Sequence, residues 1–335
     1  MIPKRRIIPV FVPNAGCEQN CVFCDQRRIT GAAAPVIENG KLRIDNLESA
    51  ALPAELAFYG GSFTAIPIEQ QNRLLEAAQY FLKLNTSNSI RVSTRPDRIN
   101  GPATRRLKNY GVETVELGAQ SMCDDVLLAA NRGHTPSDIK QAAALVKNSG
   151  MKLILHMMTG LPEDTREKSL YTAKRIAELK PDGVRVHPTI VVRGTTLYEM
   201  WERGDYKEHT LECAVDLCAE ILEIFNNAGI PVIRFGLNPS EPLSGGDAVA
   251  GAYHPAFGEL VYSRVYYNKA VKLLEGVAPG SCVTLNVAPG RVSMMTGQHR
   301  CNIDALIQKF SLRSLKVCQG DGSLDTFYVS REPSP

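Results

Sequence analysis

Three cysteines, Cys17, Cys21 and Cys24, fall within eight positions in the stretch NAGCEQNCVFCDQRRITG. Thiolates at this spacing, in a loop after a first strand, can meet one face of a metal centre. A structural zinc site takes four ligands at fixed spacing, and no Cys or His pair stands near this triplet in the sequence. A cubane [4Fe–4S] cluster is held by thiolates; three of them leave its fourth iron open to a substrate or cofactor. A redox grouping of thiols is the third alternative.

A second stretch bears on the choice. YGGSFT, Tyr59 to Thr64, follows an apolar run. Without side chains, Gly60 and Gly61 let a ligand approach the backbone, and Ser62 adds a hydroxyl to the same turn. Taken alone, a Gly-Gly turn is a structural feature.

These residues need a frame to bring them together, and one unit recurs along the chain. An amphipathic helix ends at a Gly and a β-rich run follows, in LKNYGVETVEL at Gly111, LVKNSGMKLILH at Gly150 and IFNNAGIPVIRF at Gly229. Glycine just past a helix relieves the left-handed C-cap. A fourth copy, RIAELKPDGVRVHP, stops its helix before Pro181 and starts it at a capping box of Asp164 and Glu167. Helices alternating with short apolar strands predict a parallel sheet with helical crossovers. Six strands are expected, near Ile7–Val12, Leu56–Tyr59, Ile90–Ser93, Thr114–Leu117, Leu153–Met157 and Val184–His187. A partial barrel and an open doubly wound sheet both satisfy this pattern. Either puts chemistry at the C-terminal ends of the strands, where the cysteines, YGGSFT, STRPD, GAQS, HMMTGLP and VHPTIVVRGT fall.

The pattern changes after Asn238, which divides the chain into an expected core domain, 1–238, and a C-terminal extension, 239–335. PSEPLSGGDAVAGAYHPAF reads as a long loop. A helix over Gly258–Leu274, a strand over Ser281–Ala288, a short helix over Asn302–Phe310 and a strand over Leu315–Cys318 make a small α+β appendage. SREPSP reads as a frayed tail.

The 335 residues carry a net charge of +3 and a pI of about 8.3, which permits an anionic partner without arguing for one. No apolar run reaches the roughly 20 residues that span a bilayer. The short N-terminal run breaks at Pro9 and Pro13, unlike a signal peptide. A cytoplasmic protein is therefore expected, its cysteines not paired in disulfides. Cys123, Cys213, Cys218, Cys282, Cys301 and Cys318 stand singly and read as small buried apolar residues.

The cysteine spacing, with the aromatic Phe23 before the last thiol, resembles the signature of radical S-adenosylmethionine (SAM) enzymes. That resemblance implies a [4Fe–4S] cluster on Cys17, Cys21 and Cys24, with SAM on the open iron and its amino group held by the YGGSFT edge. An external donor supplies one electron, and cleavage of SAM yields a 5′-deoxyadenosyl radical that abstracts hydrogen. Further along, STRPD (93–97), GVETVELGAQSMCDDVLLAANRGHT (111–135), HMMTGLPED (156–164) and VRVHPTIVVRGTTLYEMWERGDY (184–206) resemble the radical SAM domain of the catalytic Elongator subunit, which modifies wobble uridines in tRNA. This implies a partial (β/α)6 barrel of the TIM type, with SAM contacts at Ser93, Gln120, Arg132 and His156. Arg132 would pair with the SAM carboxylate as a charged fork.

The departures are specific. The Elongator enzymes have a wider gap between their first two cysteines, and many relatives carry Glu at the Ser93 position. Arg185 and His187 stand where that family places a Lys and a Tyr near the radical, and are the candidate catalytic residues. The stretch after Asn238 shows no acyl-CoA signature, so acyl transfer would come from a separate partner or the transferred group differs. MMTGQHRCNIDALIQKF resembles the loop and helix of a KH module, a clamp for nucleic-acid backbone, with Arg300 at the loop's fourth position. Lys4–Arg6, Arg27–Arg28 and Arg105–Lys108 are basic clusters that read as solvated faces, with those near the cysteine loop able to meet phosphates. RNA, in particular tRNA, is the expected substrate. The alternatives are a radical SAM enzyme acting on a small molecule or protein, and a non-enzymatic RNA-binding iron–sulfur protein.

Overall fold

A computed structural model describes residues 6–13, 15–17, 20–31, 35–42, 53–320 and 328–331. Lys4, Arg5 and most of SREPSP lie outside the described residues. The chain forms two compact units, one running up to Ala214 and over Ile221–Tyr253, the other taking Val215–Glu220 and His254 onward.

The first unit is built on seven parallel strands: β1 (Arg6–Phe11), β2 (Ala54–Tyr59), β3 (Ser89–Thr94), β4 (Val112–Gln120), β5 (Lys152–Thr159), β6 (Gly183–Pro188) and β7 (Val232–Phe235). They lie in chain order, each hydrogen-bonded to the next. A doubly wound sheet reverses its order at a switch point. This one does not, and it curls as a half-barrel. The expectation of six strands is one short. The seventh strand, VIRF, lies in the β-rich run after Gly229 and is only four residues long with a charged Arg234 inside it.

Alternation along the strands sorts the residues. Leu56, Phe58, Ile90, Val92, Val115, Leu117, Leu153, Leu155, Val184 and Val186 are fully buried on the face that the crossover helices cover. Glu55, Arg91, Glu116, His156, Arg185 and His187 alternate with them and meet one another across the other face, the lumen.

The expected C-caps hold, with positive φ at Gly111, Gly150 and Gly229. The expected capping box of Asp164 and Glu167 does not form, and the N-cap lies one residue later. Thr165 caps the helix Arg166–Glu178 by accepting from Lys168 N. Asp164 instead accepts from Gly160 N at 2.8 Å and the Ser169 hydroxyl at 2.6 Å, tying down the end of β5. The stretch read as a loop after Asn238 holds a short strand, Ala248–Gly251, antiparallel to Ile190–Val192.

In the second unit, Cys282–Val287 is the central strand, parallel to Ser314–Gln319 and antiparallel to Tyr328–Arg331. Its core joins Ala270, Leu274, Leu285, Met295 and Leu306. The buried Asn302 amide donates to Ser263 Oγ at 2.9 Å and the Met295 carbonyl at 3.1 Å, linking three helices of this unit: Phe257–Leu274, Val292–Thr296 and Cys301–Phe310. The KH-like loop, Gly297 to Arg300, joins the last two and has positive φ at Gly297, His299 and Arg300.

All nine cysteines are free. Of the six scattered ones, Cys218 is buried, Cys123 and Cys282 are half-buried, and Cys213, Cys301 and Cys318 are exposed, so burial does not explain them as a group. Among the described residues no helix is long and apolar enough to cross a membrane.

Candidate active site

Beyond Pro13, the cysteine loop is shaped by contacts to its neighbours. Val22 is buried; its N–H donates to the Ala130 carbonyl and its carbonyl accepts from Leu197 N at 2.7 Å. Asp25 caps the short helix Gln26–Thr30, accepting from Arg27 N and Arg28 N, each at 3.1 Å. Arg28 also pairs with Asp247 at 3.1 Å, so its charge is already partnered.

The glycines act first on this loop. A Cβ at Gly61 would overlap the Ala15 carbonyl oxygen and sit 2.6 Å from that of Val12. Gly16, at φ 72°, would place one 2.7 Å from Ile66 N. The two backbones approach side by side, closed by a hydrogen bond of 2.8 Å from Ser62 N to the Ala15 carbonyl. The Ser62 hydroxyl is likewise engaged, 3.0 Å from Thr94 Oγ1 and accepting from Arg95 N. Gly60 lines the cavity, and a Cβ there would make only ordinary contact with Pro13, at 3.5 Å.

That cavity, of about 280 Å³, opens at the C-terminal ends of the strands. Cys17, Cys21, Phe23, Cys24, Gly60, Gly61, Ser62, Ser93, Gln120, Arg132, His156 and His187 all line it. Arg185 does not. It lies in the lumen, its Nε 3.4 Å from Glu116 Oε1 and its Nη2 donating to the Tyr59 hydroxyl at 2.9 Å.

Several polar atoms of the cavity have no hydrogen-bond partner among the described residues. Arg132 is buried; Nη1 donates to Cys21 Sγ at 3.0 Å, Nη2 donates to the Gly118 carbonyl at 2.8 Å, and Nε has no partner. Gln120 sits at a register slip of β4 against β5, with φ 66°, and its Oε1 is unpartnered. The rings of His156 and His187 meet edge to face at 4.2 Å, and each Nε2 is shielded and unpartnered. Burial, then the Arg185 charge, lowers His156 to about 3. Burial, then His156, holds His187 well below its usual range. Both imidazoles are therefore neutral near pH 7.

Two of the three thiols are held in the protonated form by their surroundings. Burial and then the neighbouring Cys21 push Cys24 up to about 12, and desolvation followed by Cys21 raises Cys17. A coordinated metal reverses this preference, because it binds the thiolate. Cys17, Cys21 and Cys24 line one cavity with the Arg132 guanidinium and the Gln120 amide, a donor set that suits a thiolate-held group beside a ligand with carboxylate and hydroxyl groups.

The sequence reading missed the lumen. Charged residues sit mid-strand in AELAFY, SIRVST and VETVEL, and three adjoining apolar strands each carrying at least one was the available signal. It also missed Arg95, buried beside the cavity and paired with Asp97 at 2.9 Å.

Half-barrel, cysteine loop and strand-end cavity together define a class. Residues 11–176 match the Radical SAM superfamily and residues 181–267 the Radical_SAM C-terminal domain; the chain belongs to this superfamily, as an enzyme of the radical SAM type. Among curated proteins it is similar to the tRNA uridine(34) acetyltransferase of Methanocaldococcus jannaschii, 35% identical over 200 residues, 53% of this chain and 37% of that one. It is also similar to Elongator complex protein 3 of Homo sapiens, 33% identical over 190 residues, 51% of this chain and 35% of that one. The match thus spans little more than a third of these relatives' length. Among solved structures, the archaeal Elp3 of Methanocaldococcus infernus superposes with a TM-score of 0.60 at 27% identity, over 79% of this chain and 63% of that one. Coproporphyrinogen III oxidase of Escherichia coli, with a TM-score of 0.50 at 19% identity over 68% of this chain and 54% of that one, shares the fold.

Proposed function

We propose that this chain is a [4Fe–4S]-dependent radical SAM enzyme that modifies RNA, with tRNA as substrate. The observation that carries the chemistry is the convergence of three thiols with the unpartnered atoms of Arg132, Gln120 and His156 on one cavity. The relatives named for tRNA uridine modification support the choice of RNA.

Cys17, Cys21 and Cys24 would hold the cluster. Arg132, with a charge and a free Nε, would take the SAM carboxylate; Gln120 and Ser93 would take its hydroxyl groups. Ser62 fixes the edge that receives the amino group, through its bonds to Thr94 and Arg95. Such a cluster, when bound, would supply the one-electron reduction that cleaves SAM to a 5′-deoxyadenosyl radical, the electron coming from an external donor. The apolar walls, Phe23, Met158 and Ile190 among them, exclude water from that radical. Neutral His156 and His187 can donate or accept a hydrogen bond at the substrate without adding charge. The loop from Gly297 to Arg300 supports an RNA contact on the second unit, and a separate partner would supply any acyl group.

The test is anaerobic. Wild type and the Cys17→Ala, Cys21→Ala, Cys24→Ala variant are reconstituted with iron and sulfide, reduced with dithionite and given SAM with or without bulk tRNA. The expected result is 5′-deoxyadenosine from the wild type alone, increased by tRNA. Product that tRNA leaves unchanged would remove RNA from the proposal. A loaded cluster that forms no product would remove the chemistry.

A further inference from the structure

The lumen beneath the cavity holds charges that neither the cluster nor SAM uses. Arg91 donates to Glu55 at 2.6 Å and to Glu116 at 3.3 Å. Arg185 shares Glu116, at 3.4 Å. The Tyr59 phenol between them stays neutral, since burial and then Glu116 raise it to about 12. Two carboxylates therefore face two guanidiniums, all half-buried or buried.

β7 adds a third guanidinium. Arg234 is in direct register with Arg185 on β6, so the two side chains leave the same face of the sheet. It is half-buried, and it makes no hydrogen bond or ion pair among the described residues. Burial first, and Arg185 next, hold it below the ordinary arginine range. Glu116 offsets part of this, but Arg91 and Arg185 already share that carboxylate; like charges side by side on neighbouring strands are destabilising, and a partly desolvated charge without a carboxylate of its own is costly. The described lumen thus carries one positive charge more than it balances.

The position of the pair suggests what balances it. His187 lies two residues along β6 from Arg185 on the same face and lines the cavity. Two residues of strand advance about 6.6 Å, so the arginines lie one layer beneath the cavity. β7 is the last strand of the sheet, which leaves their flank free of a further strand.

We propose that Arg185 and Arg234 together hold an oxyanion of the substrate one layer below the reaction cavity. Resting on the RNA reading above, that group is a phosphodiester. Two guanidiniums present planar forks of N–H donors that match a phosphate, and the anion would neutralise the surplus charge. Arg185 is then a substrate-positioning residue, with His187 above it nearer the radical.

Binding can be read without a cluster. The full chain, wild type, Arg234→Gln and Arg234→Lys, is melted across concentrations of inorganic phosphate, uridine 5′-monophosphate and succinate. With no anion, Arg234→Gln should melt at or above the wild type, because a like-charge contact is relieved. Phosphate and the nucleotide should raise the wild-type Tm, with a midpoint shifted about tenfold or more in Arg234→Gln and largely kept in Arg234→Lys. Arg234→Gln that melts lower without anion, and shares the wild-type midpoint, overturns the site. Protection by succinate and not by phosphate keeps the oxyanion site and removes the RNA assignment. Tenfold weaker phosphate binding without any tRNA effect on 5′-deoxyadenosine likewise keeps the site while the RNA reading fails. Unchanged midpoints with intact tRNA stimulation in Arg234→Gln overturn the site alone.

Discussion

Arg132 Nη1 lies 3.0 Å from Cys21 Sγ, while Nη2 of the same guanidinium holds the Gly118 carbonyl at 2.8 Å. One buried cation therefore links the cysteine loop to the end of β4. It reaches that place because helix Asp124–Ala129 closes with Arg132 N bonded to the Leu127 carbonyl, after Asn131 turns at φ 51°. The link positions a fork between a thiol and the cavity.

Replacing Arg132 by Leu should separate its two roles. The three cysteines remain, so iron content after reconstitution should stay near wild type. SAM affinity, measured by equilibrium dialysis, should fall about 10- to 100-fold, the range for a lost charged hydrogen bond. Arg132→Lys should lose most of it too, since a point charge cannot replace the fork. Unchanged SAM affinity in both would remove Arg132 from the SAM site.

Gly61→Ala should destabilise the fold by about 2–4 kcal/mol, because the atoms its Cβ meets are backbone carbonyls of Val12 and Ala15 that cannot swing aside. Iron uptake should fall with it, as the displaced loop carries the thiols. Gly60→Ala is the control. It has φ 88° but its Cβ stands 3.5 Å from Pro13, so the cost is backbone strain alone, about 1–2 kcal/mol. Urea denaturation measures both; equal effects would show that close approach of the backbones is not the reason for Gly61.

Glu116 is buried between two arginines, 3.3 Å from Arg91 and 3.4 Å from Arg185. Glu116→Gln leaves those cations short of a counterion and should cost about 3–5 kcal/mol. Adding Arg185→Met to Glu116→Gln should return part of that loss, because it removes one stranded charge. Additive losses in the double-mutant cycle would mean that Glu116 and Arg185 are not coupled.

Much of this was legible because the helix-covered face of each strand is apolar and helix C-cap glycines mark where the strands begin. β2 to β6 stand out in that way, and the cysteine loop and YGGSFT fall at strand ends as the fold requires. β7 was weaker, being four residues long with Arg234 interrupting its apolar run. The pairing of Ile190–Val192 with Ala248–Gly251 joins distant segments and leaves no local periodicity to read. Arg185 was placed near the radical from its position in a resembling block. Its actual place depends on Glu116 and Tyr59, two strands and four strands away, which spacing along one strand does not encode.

His156 and His187 give the fold a pH dependence with a fixed sign. Both imidazoles are held neutral in the folded state, His156 at about 3 and His187 well below the ordinary value, mainly by burial. In the unfolded chain a histidine protonates near pH 6.5. Below that pH the unfolded state binds the extra protons, so stability is complete above about 6.5 and falls as pH drops toward 4. Each histidine can contribute a slope of up to about 1.4 kcal/mol per pH unit. Carboxylates titrate in the same region, so the readout is a difference. The urea midpoint should fall between pH 7 and 4.5 more steeply in wild type than in the variant carrying both His156→Gln and His187→Gln, whose amides do not titrate. Parallel curves would mean that these imidazoles protonate freely in the folded chain, and that the cavity is wetter than its unpartnered Nε2 atoms imply.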